Sequence, residues 1–440
     1  MNVYIESLGC FKNKSDTERL ANILTEHNIV IVDDPLICET IIINTCGFIR
    51  PAVEESIERI LELSQYKKNG AKLIAFGCMI ERYKNEINKI IPELDLAIGV
   101  NNFEELFRYL STYDKNFSHK EKFGNHSYIH TNLPYYSFVK IADGCDNRCS
   151  YCTIPIIKGG LKSIEKKDIE VTVKKLINAG VKEINIIAQD ITKYGIDIYG
   201  EYKLSDILEM IAKIDGDFFI RLLYLNPDGI DKNLITLLKN TQKIIKYLDI
   251  PIQHASDNIL KRMNRKIDAY GLSKLFEEIR KELPEIFLRT TAIVGFPGES
   301  EHDFKTLLTF IDTFKPEWAG FFRFYPEEEA PAYKFNGRIT KKIIDKRLNI
   351  LENTQVHNVE QKFKRLSGKN IKVFIEAHLN KKKVISNCEY SYVGRSLLQA
   401  PEIDGKCYIN IDNNIALNSF GPYNAKIKDF KYPDIFVTIS

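Results

Sequence analysis

Short apolar runs alternate with amphipathic stretches over about residues 1–110. The runs predict strands at Asn2–Leu8, Ile41–Asn44 and Leu73–Gly77, and the stretches of helical period predict helices over Asn13–His27, Val53–Tyr66 and Glu81–Ile90. Strand and helix in turn describe an α/β unit around a mainly parallel sheet. Residues 111–134 break the pattern. They are polar and irregular and read as a linker, and their His119, His126 and His130, at loose spacing, read as solvated side chains more readily than as metal ligands. From Tyr135 the alternation returns with more regularity. Strands are predicted at Ser137–Ala142, Glu183–Gln189, Phe218–Tyr224, Lys246–Ile250, Phe287–Val294 and Ala319–Phe324, with helices between them at Lys166–Ala179, Ala269–Leu283 and Glu301–Phe314 among others. Six β/α units in series make an open or partial barrel, whose working residues gather at the C-terminal ends of the strands. A charged helix over about Lys341–Leu366 follows. Beyond it the helical period is lost, and short strands with turn signals such as Asp404-Gly405 and Gly421-Pro422 predict a small β-barrel. The expected fold class is α/β: a parallel-sheet domain over 1–114, a partial (β/α)6 barrel over 131–362 and a small β-barrel over 364–436.

At 440 residues the chain is too long for one ordinary core, in line with that division. Hydrophobic residues at 44% and charged residues at 28% describe a soluble globular protein. A net charge of +3 says little about partners. The start, Met1-Asn2-Val3-Tyr4-Ile5-Glu6-Ser7, has no basic segment leading into an apolar one, and no run approaches the roughly 18 apolar residues of a membrane span. The expectation is a cytoplasmic protein with no membrane partner. In that reducing compartment nine cysteines are not expected to form structural disulfides.

Three of the nine fall together, as Cys145-x3-Cys149-x2-Cys152, just after the first strand of the central unit. Three thiolates on one short loop hold three irons of a cubane cluster and leave the fourth open to a small molecule. A ferredoxin run needs further cysteines and a Cys-Pro ending, whereas Cys152 leads into Thr153-Ile154-Pro155 and the next cysteine is Cys388. Structural zinc wants four ligands in two pairs, and no second pair is visible.

Cys10, Cys46 and Cys78 are far apart in sequence, yet each stands one or two residues beyond a predicted strand. If those strands are parallel, the three thiols meet at one edge of the sheet. Gly9, Gly47 and Gly77 flank them, where backbone would turn tightly beside a bulky ligand. Three buried core cysteines is the competing reading, and spacing alone does not decide between the two. Cys38, Cys388 and Cys407 have no comparable setting.

The Cys145/Cys149/Cys152 spacing, with Tyr151 before its last member, resembles the signature of the radical S-adenosylmethionine (SAM) superfamily. With the three strand-end cysteines before it and the small barrel after it, nearly the whole chain resembles the methylthiotransferase family. Segments that carry the likeness include Ser7-Leu8-Gly9-Cys10, Thr45-Cys46-Gly47-Phe48-Ile49, Ile141 through Cys149, Ala188-Gln189-Asp190, Tyr247 through His254, Val294 through Glu299, and Ala400-Pro401-Glu402-Ile403-Asp404-Gly405. The tRNA-modifying branch has glutamine after the first cysteine and serine after the second. Phe11 and Gly47 stand there instead, which favours the ribosomal-protein branch. One departure is plain: where the family usually has arginines, this chain reads Lys158-Gly159-Gly160-Leu161-Lys162. Bidentate contacts would be lost there while part of the positive charge is kept.

The resemblance implies two 4Fe-4S clusters, one on each three-cysteine set, with SAM on the open iron of the second. It implies methylthiolation of the β-carbon of an aspartate in the twelfth small-subunit ribosomal protein, near the decoding centre. One SAM would methylate sulfur held at the Cys10/Cys46/Cys78 set, and a second would give the 5′-deoxyadenosyl radical. A low-potential donor such as flavodoxin or ferredoxin would supply electrons. The C-terminal barrel would be a TRAM domain that binds RNA or docks the protein substrate; 12 Lys and Arg against 7 Asp and Glu between Lys364 and Ser440 would suit ribosomal RNA. Candidates for SAM contact are Gln189, Asp190, Arg221 and Arg289 on the strands, since buried charge is costly unless paired, and Gly295 and Gly298 in the turn before Glu301–Phe314. For the arginines, outward salt bridges are an equal reading; for the glycines, an ordinary turn is. His254 is a weaker acid/base candidate. Two other functions stay open: the same chemistry on adenosine of tRNA, and a non-catalytic iron–sulfur carrier or RNA-binding scaffold.

Overall fold

In the computed structural model, which describes residues 1–100, 102–113, 135–385, 388–411 and 420–439, the first sheet has five parallel strands. They are β1 (Asn2–Ser7), β2 (Val30–Val32), β3 (Thr40–Thr45), β4 (Lys72–Gly77) and β5 (Leu96–Ile98), in spatial order β2-β1-β3-β4-β5. The middle strand Thr-Ile-Ile-Ile-Asn-Thr is buried at every position, as a parallel strand covered by helices on both faces must be. Two helices lead out of strand ends next to it, α1 (Phe11–Glu26) after β1 and α2 (Arg50–Ser64) after β3. The three-residue strands β2 and β5 were too short to be expected from the pattern; the helix Phe103–Ser111 was not predicted, although its Phe103, Leu106, Phe107 and Leu110 fall on one buried face. The helix expected over Glu81–Ile90 is two pieces, α3 (Cys78–Tyr83) and Ile87–Ile90. A turn at the polar Lys84-Asn85-Glu86 brings Ile80, Ile87 and Ile91 into one core. The proposed linker and its three histidines lie outside the described residues.

The central unit is a six-stranded sheet, all parallel in the registers observed. Its strands are β6 (Tyr136–Lys140), β9 (Glu183–Ile187), β10 (Phe219–Leu222), β11 (Ile244–Asp249), β12 (Phe287–Val294) and β13 (Trp318–Arg323), laid out in chain order. A small hairpin-like pair, β7 (Ala142–Asp143) with β8 (Lys162–Ser163), frames the loop between them. The helix Glu301–Phe314 starts on a capping box in which Ser300 and Asp303 each satisfy the other's backbone. Side chains alternate strictly. Ile220, Leu222, Ile244 and Leu248 enter the core under the helices, while Leu223, Ile245 and Tyr247 face the other way.

That second face is covered by the C-terminal barrel. It closes through β14 (Asn370–Ile385), β15 (Cys388–Ser396), β16 (Cys407–Ile411), β18 (Asp434–Ile439) and β17 (Tyr423–Lys431). Val373, Phe374, Ile409 and Val437 share one apolar cluster with Tyr135, Phe138, Tyr247 and Trp318 of the central sheet. Phe11 of α1 joins the same cluster, stacked on Phe138 at 4.5 Å. The barrel occupies the early part of the sheet and leaves the C-terminal strand ends to the first domain. Among the described residues no helix is long and apolar enough to cross a membrane.

Candidate active site

The first three cysteines arrive by the same device. Cys10 is the N-cap of α1 after β1, Cys46 follows β3, and Cys78 opens α3 after β4. The three strands are adjacent and parallel, so the thiols share one sheet edge. Asn13 ties the three loops together: its Nδ2 donates to Leu8 O at 2.9 Å and Thr45 O at 3.1 Å, and the Cys78 Sγ points at its Oδ1 at 3.7 Å. Ser56 of α2 pins Cys46 through both its backbone N–H and C=O. Burial pushes the Cys46 thiol up to about 11 and Cys78 up to about 12, and the neighbouring cysteines add to both shifts. Binding a metal at these two thiols would therefore release protons.

Glycine is demanded at two of these turns. A Cβ on Gly9, whose φ is +87°, would lie 2.6 Å from Cys46 Cβ and 2.7 Å from its Sγ. A Cβ on Gly47 would lie 2.6 Å from Met79 Cα. Gly9→Ala is therefore expected to displace Cys46 and to lower iron bound at this set while leaving the other set loaded. Iron analysis of the reconstituted variant checks this, and unchanged loading would show that the close approach is not required.

Cys145, Cys149 and Cys152 sit on the loop between β7 and β8. The loop is fixed at many points: Cys145 N–H donates to Gly159 O, Ser150 bonds the backbone of Arg262 and Met263, and Asn147 Nδ2 donates to Asp190 Oδ2 at 2.7 Å. Gly144, at φ +68°, passes so close to Gly160 that a Cβ would lie 2.0 Å from its carbonyl oxygen. Ile154 N–H points at Cys152 Sγ at 3.4 Å, and Arg265 Nη1 lies 4.0 Å from Cys149 Sγ. Burial raises Cys145, and raises Cys152 to about 12.

The two sets face each other across the domain boundary. Thr153 Oγ1, next to Cys152, donates to Phe48 O, two residues after Cys46, at 3.2 Å. Arg82 bonds Gly47 O and the carboxylates of Glu327 and Glu329, which clamps the Cys46 loop to the central unit. Lys158, in the segment that departs from the family pattern, is buried and reaches Asp16 of α1 at 3.2 Å and Asp143 at 3.5 Å. Lys140 joins the same two aspartates. Burial works against the Lys158 charge, but the two carboxylates outweigh it and hold the group above its ordinary value. This lysine fastens the first domain to the second.

Among the described residues no three His, Cys, Asp or Glu side chains close around a single metal ion. A cluster asks for something else, since each thiolate binds its own iron. Three soft donors at each of two sites, with glycine where a Cβ would intrude, suit that group. Buried polar atoms without a hydrogen-bond partner among the described residues stand at the strand ends nearby: Gln189 Oε1, Asp249 Oδ1 and Arg265 Nε. They suit a polar ligand lodged there.

The other expected contacts fall differently. Asp190 accepts from Asn147, Thr192 N–H and Thr192 Oγ1, so it orders the cysteine loop. Arg221 is fully buried on the face under the C-terminal barrel, where it bonds Glu183 and the Leu397 carbonyl. Arg289 bonds Asp404 of the barrel at 2.6 Å and approaches Asp249 at 3.8 Å. For both arginines the alternation that points them away from the helices points them at another domain, and the salt-bridge reading describes them better than SAM contact does. The Gly295 N–H is taken by Glu299 Oε2 and the Gly298 N–H by Gly337 O, which makes this stretch a closed turn. His254 is fully buried; its Nδ1 accepts from Ser256 N–H, its Nε2 lies 3.9 Å from Glu299 Oε2, and burial pulls it down to about 4, so it is neutral near pH 7. Sequence reasoning did not single out Lys12, Asn13, Tyr224, Asp249 or Arg265. The neighbourhood of Cys10 was a signal for the first two; the others are placed by tertiary contacts alone.

Comparison with known proteins gives three family matches along the chain: an uncharacterized protein family (UPF0004) over residues 2–99, the radical SAM superfamily over 139–311 and a TRAM domain over 368–439. The ribosomal protein uS12 methylthiotransferase RimO of Carboxydothermus hydrogenoformans is 41% identical over 99% of this chain and 98% of its own. The protein of that name from Acetivibrio thermocellus is 39% identical over 95% of this chain and 94% of its own. Among solved structures, the radical SAM methyltransferase TsrM of Kitasatospora setae aligns with a TM-score of 0.56 at 12% identity, over 75% of this chain and 74% of that one, which is a likeness of fold.

Proposed function

The chain belongs to the radical SAM methylthiotransferase family, in its ribosomal-protein branch, and on that premise we propose that it methylthiolates the β-carbon of an aspartate in ribosomal protein uS12. The observation that carries the proposal is the meeting of two three-cysteine sets across one domain boundary, bridged by the Thr153–Phe48 hydrogen bond. Radical SAM membership brings SAM and a 4Fe-4S cluster. We assign that cluster to Cys145, Cys149 and Cys152, and a second to Cys10, Cys46 and Cys78. When bound, these groups supply one-electron SAM cleavage and the sulfur and methyl group to be transferred.

The protein's own residues do the rest. Asn13 and Ser56 hold the first set of thiols in place, and Asn147, Asp190 and Ser150 hold the second. We assign the SAM contacts to Gln189, Asp190 and Arg265 at the strand ends, with Gly295 and Gly298 as further candidates. Lys158, Asp16, Arg82 and Glu327 keep the gap between the domains at a fixed width. On this reading residues 1–114 carry the sulfur-donating site, 131–362 the radical site and 364–436 a TRAM module near the ribosomal substrate, with flavodoxin or ferredoxin as electron source and the cytoplasm as the place of reaction.

Protein reconstituted without oxygen is expected to hold about eight irons, two cubanes, and Cys46→Ala about four. Full loading in Cys10, Cys46 and Cys78 variants alike would remove the first site. The function is tested by mass spectrometry of ribosomal proteins and tRNA after incubation with enzyme, SAM, sulfide and reductant. One methylthio group on a uS12 aspartate is expected. A gain on adenosine alone would move the protein to the tRNA branch.

A further inference from the structure

We propose that the Lys12 ammonium, set between the two cysteine loops and laid over the Tyr224 ring, binds the carboxylate of the target aspartate and gives the enzyme its preference for aspartate over asparagine. The inference rests on the functional reading above and names a residue that would recognise the substrate.

Lys12 is in the first turn of α1, two residues after Cys10. Its Nζ lies 3.4 Å from the centroid of the Tyr224 ring, which belongs to the central unit, so the side chain spans the boundary. It is close enough to Cys46 of one set and Cys152 of the other to act on both thiols, and on Asp249 as well. Four of the other cations near this gap are committed. Arg289 is bonded to Asp404, Lys140 and Lys158 to Asp16 and Asp143, and Arg265 to Asn226 and the Pro251 carbonyl. Among the described residues Lys12 has the aromatic face and no carboxylate within salt-bridge reach. Asp249, on which Lys12 acts, is itself engaged: its Oδ2 takes the Tyr224 N–H at 3.0 Å and its other oxygen faces Arg289. A half-buried ammonium over an aromatic ring keeps its charge and its three donors while its stem is fixed.

The backbone is bent to make this arrangement. Tyr224 has φ +65°, a conformation rare for a bulky residue. That turn sends its N–H to Asp249 and its ring under Lys12. Strain of this kind, held in place by surrounding structure, is common where a ligand is gripped. The chemistry fits the position. The reacting β-carbon of aspartate is bonded directly to its carboxylate carbon, so anchoring the carboxylate at Lys12 leaves that carbon in the gap between the two cysteine sets. Asparagine has the same shape and no charge, and would forgo the charge-assisted bond.

The test uses anaerobically reconstituted wild type, Lys12→Gln, Lys12→Met and Lys12→Arg, with SAM present. Wild type is first used to identify the modified aspartate of uS12. Binding of uS12 with aspartate or asparagine at that position is then measured by fluorescence anisotropy. Wild type is expected to favour aspartate by roughly 10- to 100-fold, the range for a hydrogen bond to a charged group. The Gln and Met variants should bind both forms alike, and Arg should keep most of the preference. Met preserves the stem against Tyr224 should Gln disturb it. An unchanged preference in both neutral variants, or none in wild type, overturns the proposal. So does a shift of cluster midpoint potential in Lys12→Gln with the preference intact, which would make Lys12 a tuner of the clusters. If wild type modifies no aspartate of uS12, the functional reading itself has failed and this inference goes with it.

Discussion

Cys149→Ala is expected to form no 5′-deoxyadenosine above background, whereas Cys78→Ala should still cleave SAM and yield no methylthiolated product. The asymmetry follows from how the two sets are built. Cys149 lies on a loop whose anchors, Asn147 to Asp190 and Ser150 to Arg262 and Met263, all belong to the central unit. Removing its thiol takes one of three donors from the site where SAM would bind, and nothing in the first domain replaces it. Cys78 hangs from β4 in the other sheet, braced by Asn13. Its loss leaves the 145–152 loop untouched, apart from the Thr153–Phe48 contact, which does not involve β4. Chromatography of 5′-deoxyadenosine beside mass spectrometry of uS12 separates the two losses. Equal loss of SAM cleavage in both variants would show that the sets do not have separate roles.

Much of this organisation was legible because parallel α/β units write themselves plainly. Buried strands such as Ile41-Ile42-Ile43 are apolar at every position, and a residue just past such a strand must lie on the active edge. That is why Cys10, Cys46 and Cys78 could be grouped though they are far apart in sequence. What was not legible depended on the second face of the central sheet. Alternation shows that Arg221 and Arg289 point away from the helices, and cannot say what meets them there. The barrel meets them: Leu397 O accepts from Arg221, Asp404 pairs with Arg289, and Arg395 shares Glu183 with Arg221. The Ala400–Gly405 motif also turns inward: Asp404 takes the Tyr247 hydroxyl at 2.6 Å, and Glu402 takes Lys14 of α1 and the Tyr136 hydroxyl. It works as a fastener among three domains. Lys158, read as a loss of arginine contacts, proves to be one member of a buried charge cluster of two lysines and two aspartates.

Glu183→Gln is expected to weaken the hold of the C-terminal barrel by about 3–5 kcal/mol, the cost of breaking a buried ion pair from one side. Glu183 is fully buried between two guanidinium groups, Arg221 Nε at 2.8 Å on the neighbouring strand and Arg395 Nη2 at 2.7 Å in the barrel. Burial alone would raise this carboxyl, but the two arginines outweigh it and hold it below its ordinary value. Its contribution is therefore fully present above the unfolded glutamate value of about 4.3 and is lost as pH falls below that. Glutamine keeps the shape and leaves two buried cations facing a neutral amide. Because three domains unfold in more than one step, the readout is the transition that exposes the barrel, followed by limited proteolysis after the helix Lys341–Leu366 in rising denaturant. The cysteine loops lie at the other ends of the strands, so iron content should not change. Replacing Glu183, Arg221 and Arg395 together by leucine and methionine should recover part of the loss, since no charge is then left unpaired. A shift under about 1 kcal/mol for Glu183→Gln, or an equal loss of iron, would mean that the triad is not what seats the barrel on the sheet.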